Sequence, residues 1–245
     1  MARMGSEPNL TGKVALVTGS AKGLGAAMAI ALASHGAKVA VHYRTSKKEA
    51  EETVQAIEKY VEGPLLVQGD VTDEKDAQRL IATVTETFGR LDILVNNVGN
   101  FLFKPMEETE SWEFRDVIES NLYSVFYMTK AGLPIMREQR YGRIISFGNV
   151  GAEKLPIRPN TTPYFIAKAG VLTLTKILAQ EEAKWGITIN AISPGILETS
   201  QVTLPVPIGR AAAFSDIINA LLFLLKEESS YITGANIEVS GGLTF

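Results

Sequence analysis

Seven short runs rich in Val, Ile and Leu recur along the chain with longer stretches of helical spacing between them, and nothing else in the sequence limits the fold so tightly. The runs are "KVALVT" (13–18), "KVAVHY" (38–43), "PLLVQG" (64–69), "DILVN" (92–96), "RIISF" (143–147), "ITINAI" (187–192) and "NIEV" (236–239). Most are apolar at successive rather than alternate positions, as in strands covered on both faces. Helical patterns fill 24–35, 47–60, 74–88, 110–132, 163–184 and 215–226. The alternation predicts an α/β architecture, a doubly wound parallel sheet of about seven strands. With 245 residues, 46% of them hydrophobic, one large core accounts for the whole length. We expect a single domain over 10–245 behind a flexible lead-in over 1–9.

Charge and the rarer residues remove several classes of function. Lys and Arg number 24 against 27 acidic residues, which gives no electrostatic reason to expect nucleic acid or an anionic membrane as partner. Without cysteine there is no disulfide scaffold and no thiolate chemistry, and His35 and His42 are too few for the usual zinc sites, so no metal is expected. The amino-terminal "MARMGSEPNLTGK" lacks the apolar centre of a signal peptide, and no uncharged apolar run approaches the length that crosses a bilayer. A soluble, cytoplasmic protein is the expectation.

Ligands of such sheets lie beyond the carboxyl ends of the strands, so the residues after each run are the informative ones. The first run leads into "TGSAKGLG" (18–25), where Gly19, Gly23 and Gly25 precede a helical pattern. Glycine permits a tight turn and a close backbone approach, and the N–H groups of the following helix stabilise a pyrophosphate. In this position the turn predicts a dinucleotide-binding Rossmann fold. A ribose 2′-hydroxyl is usually read by an acid at the end of the second run, and none is there. Arg44, Thr45 and Ser46 follow Tyr43 instead, and Lys22 projects from the glycine turn; these groups suit a 2′-phosphate, hence NADP(H).

Tyr164 and Lys168, spaced by four, fall on one helical face. A free phenol has a pKa near 10, so exchanging its proton near neutrality requires about 4 kcal/mol of phenolate stabilisation. A neighbouring ammonium and a cationic nicotinamide are within reach of that figure.

Several motifs in order, "TGSAKGLG", "GDVTD" (69–73), "NNVG" (96–99), "SNLYSVF" (120–126), "YFIAK" (164–168) and "ISPGILET" (192–199), resemble the short-chain dehydrogenase/reductase family of classical type. The resemblance runs from about residue 10 to the end and is closest in look to bacterial 3-oxoacyl carrier-protein reductases. It implies that Ser20 and Leu24 belong to the cofactor-binding turn with its glycines. Asp70 and Val71 would hold the adenine, and Asn97, Val98 and Gly99 would line the adenosine side. Pro194, Gly195 and Ile196, with Thr199, would contact the nicotinamide end. Tyr164 would be the general acid in reduction, Lys168 would lower its pKa and bond the nicotinamide ribose, and Asn121 would anchor a water in the proton relay. A homotetramer or homodimer is implied as well, with contacts from the helices near 110–132 and 163–184 and from "EVSGGLTF".

Two departures from the family pattern fall on the substrate side. Asn149 stands where the family places a carbonyl-polarising serine; its amide can donate to a developing oxyanion. Ser146 lies three residues earlier, nearer the strand interior, whereas Thr161 and Thr162 in the Pro-bearing loop 155–163 are candidate substitute hydroxyls. After "PGILET" only "SQVTLPV" precedes Pro207, where the family has a longer covering segment, so an open substrate side is expected. An NADPH-dependent reductase of a 3-oxoacyl thioester or other ketone follows from these features. A pteridine-type reductase is a second reading, since that group too has a polar non-serine residue after strand five and "HYRTS" is similar to its second-strand ending. A non-catalytic NADP(H)-binding sensor is the third.

Overall fold

Each of the seven apolar runs is a strand. In the computed structural model, which describes residues 7–154, 158–200 and 204–244, they are β1 (Val14–Val17), β2 (Lys38–Tyr43), β3 (Leu65–Gln68), β4 (Ile93–Asn96), β5 (Gly142–Phe147), β6 (Ile187–Pro194) and β7 (Asn236–Val239). They form one parallel sheet in the order β3-β2-β1-β4-β5-β6-β7. The order reverses at β1, which lies between β2 and β4, and a crevice opens there beyond the carboxyl ends of the strands.

Side-chain alternation explains why β1, at the centre of the sheet, is apolar throughout. Ala15 and Val17 of β1 face one layer, made by α1 (Gly23–Ser34), α2 (Lys47–Ile57) and α7 (Phe214–Leu225), through Met28, Leu32, Ile57 and Leu221. Val14 and Leu16 face the other, made by α3 (Glu74–Phe88) and α5 (Ser124–Gln139), through Leu80, Val84, Met128 and Met136. Helix α6 (Thr162–Glu182) packs beside β6 and carries Tyr164 and Lys168 in its first two turns.

The helical pattern over 110–132 resolves into α4 (Ser111–Ile118), a π-turn (Glu119–Tyr123) and α5. Asn121 sits in the wide turn, where its side-chain amide donates to the Val117 carbonyl at 2.9 Å. A side chain competing for a backbone acceptor favours such a bulge. Helix α5 also continues to Gln139 through Pro134, past the expected end at 132. Proline costs roughly 3 kcal/mol inside a helix, but Leu133 and Met136 on either side of it are buried in the core. Burying two such side chains gives a gain of about the same size.

Of the lead-in expected over 1–9, residues 7–9 are described. Pro8 and Leu10 are buried, and the Leu10 N–H donates to the His35 carbonyl at 2.8 Å. Residues 1–6 lie outside the described residues, as do 155–157 of the loop 155–163, 201–203 of the segment before Pro207, and Phe245. Among the described residues, no helix is long and apolar enough to cross a membrane.

Candidate active site

The crevice has two lobes on either side of the glycine turn. One is lined by Lys22, Tyr43, Arg44, Thr45, Ser46, Asp70, Val71 and Val98 among others. The turn itself is fixed by hydrogen bonds over long sequence separations. The Gly19 N–H donates to His42 Nδ1 at 2.9 Å, and His42 Nε2 pairs with the Gly69 carbonyl at 3.1 Å. Since Nδ1 accepts, Nε2 carries the proton and the ring is neutral; burial also lowers its pKa. Asn97 Nδ2 donates to the Thr18 carbonyl at 3.0 Å and its backbone N–H to Thr18 Oγ1 at 2.9 Å, which ties the end of β4 to the same turn.

This half fits a dinucleotide. Gly19 has φ +64°, and a Cβ there would stand 2.9 Å from Val98 Cγ2. On Gly25 a Cβ would run into the Gly19 carbonyl and stand 2.7 Å from Asn97 Nδ2, so helix and turn approach as closely as backbone allows. The N-terminus of α1 has no side-chain cap and no acid in its first turn, which leaves its N–H groups for an anion. Arg44 Nη1 pairs with Asp70 Oδ2 at 3.3 Å, so the residue expected at a 2′-phosphate and one expected to hold the adenine are in contact. Burial would raise the Asp70 pKa, but the Thr72 hydroxyl and N–H and the Arg44 charge outweigh it and keep the carboxyl below its usual range.

The second lobe, a cleft of about 400 Å³, brings together Asn149, Tyr164 and Lys168 with Pro194, Gly195, Ile196 and Thr199. Leu24, Asn97 and Gly99 reach it from the turn side. Tyr164 is half-buried and lies edge-on to Phe101, ring centroids 4.9 Å apart. Lys168 is buried, donates to the Phe147 carbonyl at 2.8 Å and holds its Nζ 5.5 Å from the Tyr164 ring centroid. Desolvation pulls its pKa down to about 8. Burial pushes the Tyr164 phenol up to about 12, opposed by the charge of Arg158. In this arrangement the residues alone do not acidify the phenol, and the nearby guanidinium rather than the ammonium opposes the burial effect.

Several expected groups sit elsewhere. Ser20 is fully buried and off the crevice surface: its hydroxyl donates to the Val17 carbonyl at 2.7 Å and accepts the His42 N–H at 2.9 Å, so it braces the turn. Thr161 is equally buried and donates to the Arg158 carbonyl, and neither it nor Thr162 lines the cleft. Ser146 is buried in β5 beside Asn96. Asn149 reaches the cleft, but its amide donates to the Val150 carbonyl at 3.1 Å. Asn121 lies under Gly99 with Nδ2 bonded to the Asn100 carbonyl at 2.8 Å and Oδ1 buried without a partner among the described residues. Sequence reasoning missed Arg158, Phe101 and Phe147 in the cleft and His42 at the turn. Only His42, a polar residue closing an apolar strand, gave a signal that could have been followed.

A family model described as enoyl-(acyl carrier protein) reductase matches residues 19–244. The 3-oxoacyl-(acyl-carrier-protein) reductases FabG of Staphylococcus aureus and of Escherichia coli are each 38% identical to the chain; the alignments cover 94% and 96% of it and 98% of each relative. A solved structure from Sinorhizobium meliloti, described provisionally as a short-chain alcohol dehydrogenase, superposes with a TM-score of 0.89 at 32% identity and covers 96% of this chain and 97% of its own.

Proposed function

Because this chain belongs to the short-chain dehydrogenase/reductase family, we propose that it is an NADPH-dependent reductase of a carbonyl substrate, a 3-oxoacyl thioester or another ketone. The observation that carries this reading is the convergence of Tyr164, Lys168 and the Pro194–Ile196 loop on one cleft next to a glycine cradle of dinucleotide shape. The relatives named as 3-oxoacyl reductases support the reaction class. The choice of NADP(H) rests on Lys22, Arg44, Thr45 and Ser46 in the adenosine lobe.

When bound, NADPH supplies the hydride that reduces the carbonyl carbon. Tyr164 gives its proton to the carbonyl oxygen as negative charge develops there. Lys168, fixed by the Phe147 carbonyl, would with the Pro194–Ile196 loop orient the cofactor end. Asn97 and His42 keep the glycine turn in the shape that receives a pyrophosphate. Assembly into a homotetramer or homodimer is supported by exposed apolar side chains on neighbouring helices, Trp112 on α4, Phe126 on α5, and Ile166 and Ile177 on α6.

A sensor that binds NADP(H) without turning it over draws on two observations: the Asn149 amide is engaged with Val150, and burial holds the Tyr164 phenol high. Following NADPH absorbance with ketones, diketones, 3-oxoacyl thioesters and dihydropterins separates the readings. Consumption with any of these substrates supports the reductase. Tight NADPH binding with no consumption across the panel supports the sensor.

A further inference from the structure

Residues 97–104 join the two lobes of the crevice. At one end Asn97 is bonded to Thr18 of the glycine turn, through its side-chain amide at 3.0 Å and its backbone N–H at 2.9 Å. In the middle the Asn100 N–H donates to Ser120 Oγ at 3.2 Å and its carbonyl accepts from Asn121 Nδ2 at 2.8 Å, which ties the backbone to the π-turn. At the other end the Lys104 N–H donates to the Asn160 carbonyl at 2.7 Å, just before α6 begins, and Lys104 Nζ pairs with Glu113 at 2.8 Å. Asn160 has φ +65°, a left-handed conformation that a residue other than glycine keeps only where its neighbours hold it. Between these anchors Phe101 sets its ring edge-on to Tyr164, with centroids 4.9 Å and planes 85° apart. The other ring near the phenol, Phe165 at 6.3 Å, is its neighbour on the same helix. Of the two, only Phe101 ties Tyr164 to a different element.

We propose that Phe101 is a positioning residue for the proton donor: held by a segment anchored in both lobes, its ring fixes the direction of the Tyr164 hydroxyl and covers the flank of the phenol. A tyrosine side chain turns about two bonds, and a displacement of about 1 Å at a reacting group can cost about 100-fold in rate. Helix α6 sets the backbone of Tyr164 but leaves those two rotations open, and the edge-to-face contact with a ring from another element restricts them. The same segment carries Asn97 and Gly99, which line the cofactor side of the cleft. Cofactor side and proton donor thus share one frame. The inference rests on the reductase reading for the use made of the proton, and the ring contact does not.

Phe101→Ala and Phe101→Leu test it. Phe101 is 37% exposed and outside both core layers, so either variant should fold. With a carbonyl compound that the protein reduces, Phe101→Ala should lose about tenfold or more in kcat while KM stays within about threefold. The alkaline limb of its kcat profile, where the phenol loses the proton it must give, should move to lower pH, because burial is what holds that proton. The charged groups near the phenol, Lys168 on α6 and Arg158 before it, are the same in both variants. Phe101→Leu, which keeps most of the bulk, should recover most of kcat and the unsubstituted pH profile. A rise in KM alone, with kcat and the limb unchanged, would reduce Phe101 to a substrate contact and overturn the proposal. A second readout needs no turnover. With ring-labelled tyrosine, the NMR signal that Tyr164→Phe removes belongs to Tyr164, and in Phe101→Ala it should shift toward that of a solvent-exposed tyrosine. If it does so while no carbonyl compound is reduced, the positioning stands and the reductase reading fails; if it stays in place, the proposal falls.

Discussion

The two lobes of the crevice are built differently. The adenosine lobe rests on short connections clamped by hydrogen bonds from distant segments: Gly19 to His42, Asn97 to Thr18, Gly69 to His42. The second lobe is assembled from the segments after β5 and β6, and Arg158 in its lining lies between β5 and α6. In the first lobe backbone shape is the constraint, since an atom added at Gly19 or Gly25 meets Val98 or the Gly19 carbonyl. Side-chain chemistry decides in the second, where substitutions change what binds before they change the fold.

The sharpest way to break this contrast is Gly25→Ala. Its methyl group would meet the Gly19 carbonyl, and neither helix nor turn can yield without shifting the pyrophosphate cradle. We expect a loss of roughly 1–3 kcal/mol in stability and more than about a tenfold loss in NADPH affinity, read by denaturant melts and fluorescence titration. Unchanged affinity would mean that the first lobe is not shape-limited. A smaller effect is expected at the rim of the same lobe. Arg44→Ala should weaken NADPH by about tenfold and NADH by less than about threefold, since only the former has a 2′-phosphate to lose. Equal losses would show that Arg44 serves Asp70 rather than the cofactor.

What could be read from the sequence follows the same division. The short Val-, Ile- and Leu-rich runs located all seven strands; in the centre of the sheet both faces are buried, as along the fully buried β1 and β4, so apolar residues succeed one another there. The glycine turn was legible because backbone constraints leave few residue choices. Helix α5 was read short, since Pro134 looks like a terminus until the burial of Leu133 and Met136 is known. Ser20 was placed at the site by the family resemblance and Thr161 as a candidate substitute hydroxyl, yet each hydroxyl turns inward to a backbone carbonyl. Arg158 could not be found that way: "LPIRPNTT" has neither periodicity nor a motif that would place its guanidinium in the cleft.

The reductase reading requires that Tyr164 supply a proton and that the cofactor be held largely by other groups. Tyr164→Phe keeps the ring against Phe101 and removes only the hydroxyl. Measured side by side with the unsubstituted protein on any carbonyl compound that it reduces, the variant should lose about 100-fold or more in kcat while its NADPH Kd stays within about threefold. Turnover that survives the loss of the hydroxyl would contradict the account.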